Sequence, residues 1–266
     1  MRVGGSSFGS LKGGKNWRRS QIGTVAGAFA DCPTDDIAYA GKRFTMGNSM
    51  ESLARHQCLI YQGAPSRHLP AVAAVAFQRL RQHYRCVYLN SPPMVAGMRS
   101  YLAAAGVDVA HEVKKGSLVL TSERQQLLDG RFDVDRMMQC LEETLLQALA
   151  DGYCGLWATG DITWEMGSAK DLSKLAEYEW RLEELLHAHP QLCGICQYHA
   201  DTLPAEVMRQ GMMAHPTIFV SKTLSLLNPY FVRPESYASC GIEDAELDSA
   251  ITHLCSHGQS NRPTSS

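Results

Sequence analysis

The chain has 266 residues, of which 45% are hydrophobic and 20% are charged, an ordinary composition for a globular protein. Its formal net charge of −2 gives no indication of a surface that binds nucleic acid or another polyanion. No apolar run approaches the roughly 18 residues of a membrane-spanning helix, and the N-terminus lacks the apolar core of a secretory signal, so we expect no membrane contact and a cytoplasmic location.

The two ends of the chain differ from its middle. Residues 1–50 are rich in Gly and Ser, include a basic stretch and show no helical or strand period, which predicts a disordered leader. An alternative is that Met46 or Met50 is the true start. Residues 241–266 are predicted to form a C-terminal helix and a partly disordered tail.

Between the ends, helical and strand patterns alternate. In chain order they predict strand 58–61, helix 69–84, strand 86–89, helix 94–105, strands 107–113 and 117–121, helix 132–151, strand 154–159, helix 170–187, strand 192–198, helix 204–213 and strand 217–220. This alternation predicts one α/β domain over about 54–240, with three layers: a mainly parallel central sheet and helices on both faces.

The carboxyl ends of the strands are where such sheets usually bind ligands. We therefore expect the site near residues 61–69, 90–94, 159–165, 198–202 and around His215.

Cys193 and Cys196 form a C-x-x-C within the strand predicted at 192–198. Their spacing of three puts the two side chains on opposite faces of a strand, which is unsuitable for a shared metal or a disulfide. Buried packing is the favoured interpretation, while a single functional thiol and a metal or redox pair stay open as alternatives. Most of the nine cysteines are expected to be reduced and buried.

The turn after the first strand occupies the place of a phosphate loop. A working loop reads G-x-x-x-x-G-K-S/T, but here only Gly63 remains of that pattern. Arg67 and His68 could still meet an anion at a helix N-terminus; an ordinary surface loop is the equal alternative. We expect no tight, Mg-dependent ATP binding.

Other polar residues carry weaker signals. No Ser-His-Asp order, H-E-x-x-H or G-x-G-x-x-G is present, so we predict no catalytic residues, no metal site and no cofactor. Asp161, Glu165 and Glu179 could act in acid–base chemistry, although a solvated helix face is the commoner explanation for Glu179. His56 and His215 are either structural or ligand-contacting, and Trp164 could line a pocket.

Six short motifs occur in an order that resembles a known family. They are the opening strand H-Q-C-L-I-Y from His56, D-G-Y-C-G-L-W-A-T-G-D-I-T-W from Asp151, L-A-E-Y-E-W around Glu179, C-Q-Y-H-A-D from Cys196, His215-Pro216, and N-P-Y-F-V-R-P-E from Asn228. Together they resemble the MEDS domain, the sensory domain of DcmR-type regulators from methanogens and methylotrophs, over about residues 54–240.

This resemblance implies a RecA-like fold with a degenerate phosphate loop and a role in sensing small organic molecules, including halogenated or other hydrocarbon derivatives. By match to the motifs, it implies seven pocket or signature positions: His56, Tyr61, Trp164, Glu179, Cys196, Tyr198 and His215. With Arg67 from the loop, these make eight candidate ligand-binding residues.

The chain also departs from the family pattern. Trp157 stands where the family often has Arg, and Asp161 where it often has Glu. Residues 1–50 show no helix-turn-helix, so we expect no direct nucleic-acid binding.

The predicted function is a non-catalytic domain that senses a small organic molecule and acts on a signalling or regulatory protein partner. The alternatives are a residual nucleotide binder and an ATPase-derived protein–protein interaction module.

Overall fold

The computed structural model describes residues 55–166, 172–233, 236 and 241–257. The predicted leader, residues 1–50, and the end of the predicted tail, residues 258–266, lie outside these ranges. Within them, no helix combines the length and apolar character needed to cross a bilayer.

A seven-stranded sheet forms the middle layer. Its strands are β1 (His56–Tyr61), β2 (Tyr84–Leu89), β3 (Leu118–Thr121), β6 (Gly155–Asp161), β7 (Leu192–His199), β8 (Thr217–Ser221) and β9 (Leu224–Leu227). They lie in the order β3-β2-β6-β7-β1-β8-β9. Every neighbouring pair is parallel except β8 and β9, which are antiparallel. A separate two-stranded hairpin consists of β4 (Leu127–Leu128) and β5 (Arg131–Phe132).

Helices pack on both faces of the sheet. They are α1 (Leu69–Arg81), α2 (Pro92–Ala104), α3 (Val109–Lys115), α4 (Val134–Ala150), α5 (Ile162–Glu165), α6 (Leu175–Ala188), α7 (Ala205–Ala214) and α8 (Asp244–His257). Two 3₁₀ turns, Pro65–Arg67 and Leu172–Lys174, precede α1 and α6. The predicted three-layer α/β class is therefore confirmed. The RecA-like detail stays a prediction.

Each face of the sheet has its own apolar core. Helices α1, α2 and α3 cover one face, where they bury Tyr61, Trp157 and Cys193. Helices α4, α6, α7 and α8 cover the other, where they bury Cys196 and Tyr198. Since side chains alternate between faces along a strand, Cys193 and Cys196 lie on opposite sides, as predicted.

The prediction of a strand at 107–113 was wrong, because that segment contains most of helix α3. The Asp108 side chain accepts a hydrogen bond from the His111 backbone N–H (3.0 Å), which caps the first turn. Gly116 ends the helix at φ +83°, a conformation that glycine adopts without strain. These local caps outweigh the β-branched valines that suggested a strand.

Three other elements were not predicted: helix α5, strand β9 and the β4–β5 hairpin. Strand β9 follows β8 as an antiparallel edge strand, so β8 is not the last strand. The β4–β5 hairpin turns through Asp129 and Gly130, both at positive φ (50° and 79°).

Candidate functional site

A cavity of about 390 Å³ lies between the sheet and helices α4 and α6. This is within the range of roughly 300–1,000 Å³ that is typical of small-molecule sites. Its walls are mostly apolar, with side chains from the sheet and both helices: Val87, Leu89, Val119, Met137, Leu141, Leu156, Ala158, Leu182, Leu186 and Leu192. Exposed Glu123 and Gln125 lie at its rim, in the segment between β3 and the hairpin.

Glu165 places a carboxyl group in this cavity. Asp161 ends β6 and caps the single turn of α5 by accepting a hydrogen bond from the Trp164 backbone N–H (3.1 Å). That turn brings the Glu165 carboxyl against Gly160, where an added β-carbon would lie 1.6 Å from Oε1. A larger residue at position 160 would therefore displace the Glu165 carboxyl from this position.

Glu165 is almost completely buried. The residue is 4% exposed, and its Oε2 has no hydrogen-bond partner among the described residues. Burial, and then the carboxylates of Glu179 and Asp161, raise the pKa of Glu165 to about 8. At neutral pH the protonated form predominates, so the carboxyl can donate a hydrogen bond to a molecule in the cavity.

Next to the cavity, four potential metal-binding side chains meet in the core: His56, Glu179, Cys196 and His215, all buried. Their donor atoms all lie within 4.8 Å of one another. We call these four residues the core cluster. His56 starts β1, Glu179 lies in α6, Cys196 lies within β7, and His215 follows α7.

Glu179 is at the centre of the core cluster. Its Oε2 lies 3.4 Å from His56 Nε2, 3.5 Å from His215 Nε2 and 3.8 Å from Cys196 Sγ. Cys196 Sγ lies a further 3.8 Å from His56 Nε2. The other carboxylate oxygen, Oε1, accepts a hydrogen bond from the hydroxyl of Tyr198.

Neighbouring acceptors orient both imidazoles. His56 Nδ1 lies 2.7 Å from Glu183 Oε2, and His215 Nδ1 lies 2.7 Å from the Gly211 carbonyl oxygen. Since carboxylates and carbonyls only accept, each Nδ1 carries the proton. The Nε2 atom of each ring therefore points into the core cluster. For His215, Nε2 has no hydrogen-bond partner within the described part of the chain.

Without a ligand, the core cluster is a buried ionic network. Burial disfavours the His56 imidazolium, but hydrogen bonds to Glu179 and Glu183 outweigh it and raise the pKa of His56 to about 9. Burial, and then the charge on His56, lower the pKa of His215 to about 4. Burial opposes ionisation of Glu179, yet the two imidazoles and Tyr198 keep its pKa below the usual value. Burial raises the pKa of the Cys196 thiol.

Five of the eight predicted site residues come together: the core cluster and Tyr198. His56 and Cys196 also line the cavity. However, the core cluster is not at the carboxyl ends of the strands, as we had expected for the site. Cys196 pairs in register with Cys58 in mid-strand, and His215 lies just before β8 begins. Glu165 and the cavity rim, by contrast, do follow strand ends.

The other three predicted residues lie elsewhere. Tyr61 is on the α1–α3 face, where its hydroxyl donates to Asp161 Oδ2 (2.9 Å) and its ring stacks on His199 at 4.8 Å. Arg67 is exposed on the 3₁₀ turn before α1. Trp164 packs beneath the Arg124 guanidinium (4.5 Å) and is not among the residues that line the cavity.

Three residues at the site were not among the predicted eight. Glu165 had been considered only for acid–base chemistry. Glu183 follows Glu179 by one helical turn, a spacing that puts both carboxylates on one face of α6 and could have revealed it. Gly211 contributes a carbonyl and close packing: an added β-carbon would lie 2.4 Å from the Tyr198 ring. No sequence pattern signals that role.

The departures from the family pattern have structural explanations. Trp157 is 2% exposed in the core on the α1–α3 side, away from the cavity. Asp161 caps α5 and accepts the Tyr61 hydroxyl, so it positions Glu165 indirectly.

The fold and the site define an α/β domain with an internal, mostly apolar cavity. The model of the MEDS family, the methanogen/methylotroph DcmR sensory domain, matches residues 55–216. The chain therefore belongs to the MEDS family of sensory domains, which is consistent with a sensing role. A search of curated proteins finds no match to this chain. The matched region starts immediately before His56, ends immediately after His215 and contains the whole cavity.

Proposed function

We propose that this protein senses a small, mostly apolar organic molecule that binds in the cavity between the sheet and helices α4 and α6. The observation that carries the proposal is a mostly apolar cavity that holds one carboxyl oxygen, Glu165 Oε2, without a partner among the described residues. A buried polar atom of this kind is costly unless something binds it.

Different residues of the cavity would contact different parts of the ligand. Apolar walls, including Leu156 and Leu182, favour a hydrocarbon or halogenated skeleton by excluding water from it. Protonated Glu165 donates a hydrogen bond to an oxygen, halogen or other acceptor on the ligand. Cys196, which also lines the cavity, contributes a polarizable sulfur.

The signal is proposed to pass to a protein partner without chemistry on the ligand. Gln126 lines the cavity and donates a hydrogen bond to the Glu165 backbone carbonyl (3.0 Å), which connects the hairpin segment to the site. A ligand on Glu165 would favour one arrangement of residues 122–133 over others, a population shift that a partner can detect.

Two observations favour an organic ligand over a nucleotide. The Gly63 backbone N–H, which a phosphate would need, donates instead to Asp201 Oδ2 (2.8 Å). Pro70 in the first turn of α1 removes a further N–H donor from that helix end. The phosphate-loop position is thus poorly suited to an anion.

Thermal shift with purified protein tests the proposal. The panel contains short-chain halogenated and oxygenated hydrocarbons, together with ATP and ADP. A ligand at a hundred times its Kd should stabilise the fold by about 2.7 kcal/mol. Ala158→Met places a larger side chain in the cavity and should abolish the shift, whereas Ala103→Met, at an exposed position on α2, should preserve it.

A panel in which no organic compound raises the melting temperature would contradict the proposal. Stabilisation by ATP that Arg67→Ala removes would favour the nucleotide-binding alternative instead.

A further inference from the structure

We propose that His56, Glu179, Cys196 and His215 bind a zinc ion in the core of the domain. This inference rests on the geometry of the core cluster and does not depend on the organic ligand.

Four of the six distances between donor atoms are close to those of a tetrahedral site. Zinc bonds of about 2.0 Å to nitrogen or oxygen and about 2.3 Å to sulfur put neighbouring donors roughly 3.3–3.6 Å apart. The contacts of Glu179 Oε2 with the two imidazole nitrogens are 3.4 and 3.5 Å, and both contacts of Cys196 Sγ are 3.8 Å. The two remaining pairs join His215 Nε2 to His56 Nε2 and to Cys196 Sγ, and they lie within 4.8 Å. An ion can therefore enter if these donors move closer together by up to about 1 Å.

The surrounding residues supply the supporting contacts that metal sites require. Metal-bound histidines usually donate their other ring N–H to a carboxylate or a backbone carbonyl. Glu183 does this for His56, and the Gly211 carbonyl does it for His215. Tyr198 holds the carboxylate oxygen of Glu179 that does not face the cluster. Three of the four donor residues, His56, Glu179 and His215, are thus held in place by a contact outside the set of four.

The His215 ring gives an independent indication. Its Nδ1 proton is committed to Gly211, so the fully buried Nε2 presents a lone pair. That nitrogen has no hydrogen-bond partner among the described residues, and Glu179 Oε2, 3.5 Å away, is an acceptor too. Two acceptors that face each other at 3.5 Å need a cation between them or a proton.

Charge and donor type indicate zinc in particular. A cysteine thiolate and one carboxylate balance the two positive charges, so the occupied site is neutral, as a buried site should be. Sulfur and imidazole donors disfavour magnesium and calcium, which take oxygen ligands. Four protein donors leave no open position, so the site is a structural one.

Metal content and cobalt spectroscopy test the proposal. The full chain is freed of metal with a chelator, supplied with Zn²⁺, and analysed by mass spectrometry of the eluted metal after gel filtration. Cys196→Ser removes a donor. Cys193→Ser is the matched control, because it lies on the same strand and faces the other way. We expect one zinc ion per chain in the wild type and in Cys193→Ser, with at least about tenfold weaker binding in Cys196→Ser.

The absorption spectrum of bound Co²⁺ is a second test, and it is measured on the wild type alone, so it does not depend on whether a variant folds. In the wild type, Co²⁺ should give the intense visible bands of a tetrahedral site and a thiolate-to-cobalt charge-transfer band. A folded wild type that takes up no zinc would overturn the proposal. Equal loss of metal in the two serine variants, or cobalt binding without the thiolate band, would also overturn it.

Discussion

Glu165 is a buried carboxyl group that binds its proton more tightly in the folded chain than in the unfolded chain. Its pKa is raised to about 8 in the fold, from a usual value of 4.5, mainly by burial. Between these two values the folded chain holds a proton that the unfolded chain has lost. Unfolding then releases a proton, so this group makes the fold less stable as the pH rises from about 4.5 to about 8.

Replacing Glu165 with Gln should remove this pH dependence. We expect Glu165→Gln to become progressively more stable than the wild type between pH 5.5 and 7.5, by up to about 1.4 kcal/mol per pH unit. Urea unfolding at both pH values measures the difference. Glu143→Gln, at an exposed position on α4, is the control and should show no such trend. Parallel pH profiles for Glu165→Gln and the wild type would contradict this account.

Among the elements, helix α3 depends on its ends more than on its interior. It has only seven residues, a length at which an isolated helix is marginal. Asp108 caps its start, and Gly116 ends it at positive φ. These two residues at the ends therefore decide between helix and strand for this segment.

Removing the cap should destabilise the domain measurably. Asp108→Ala is expected to lower the free energy of unfolding by about 1 kcal/mol, since the His111 N–H then loses its partner. Chemical denaturation measures this, with Lys114→Ala, an exposed residue of the same helix, as the comparison. An equal or larger loss for Lys114→Ala would show that the cap is not the cause.

The elements could be predicted where the local pattern of apolar and polar residues determines them, and not where other interactions do. The spacing of apolar residues predicted the α/β class and the opposite orientations of Cys193 and Cys196. This was possible because the order of apolar and polar residues within a segment shows which of its side chains are buried. Helix α3 was not predicted, because its capping residues outweigh the strand preference of its β-branched valines. Strand β9 has exposed leucines, such as Leu227 at 58%, and so lacks the signature of a buried strand.

The site was only partly predictable for a similar reason. The family motifs brought out the core cluster residues and Tyr198, but local spacing could not show that four donors from four separate segments meet. That convergence is created by the parallel register of β1, β7 and β8. The cavity likewise arises from packing between layers, which no short motif encodes.

For the molecule as a whole, a metal-bound core would link distant parts of the sheet and helices. A chelator should therefore lower the melting temperature of the zinc-loaded wild type and of Cys193→Ser, because binding to the folded state alone stabilises it. The Cys196→Ser variant should respond little. Differential scanning calorimetry with and without chelator measures the shift, and an unchanged melting temperature in the wild type would contradict the prediction.

The core cluster also has a consequence for the order in which the chain assembles. Cys196 and His56 are 140 residues apart, and His215 comes later still. Bringing together residues that are so far apart in the chain costs loop-closure entropy before their contacts can stabilise the fold. We therefore expect these contacts to form late. During synthesis the cluster cannot close until His215 has left the ribosome. An ion that requires all four donors would then bind only after β1, α6, β7 and α7 have been made, so its capture would mark a late stage of folding.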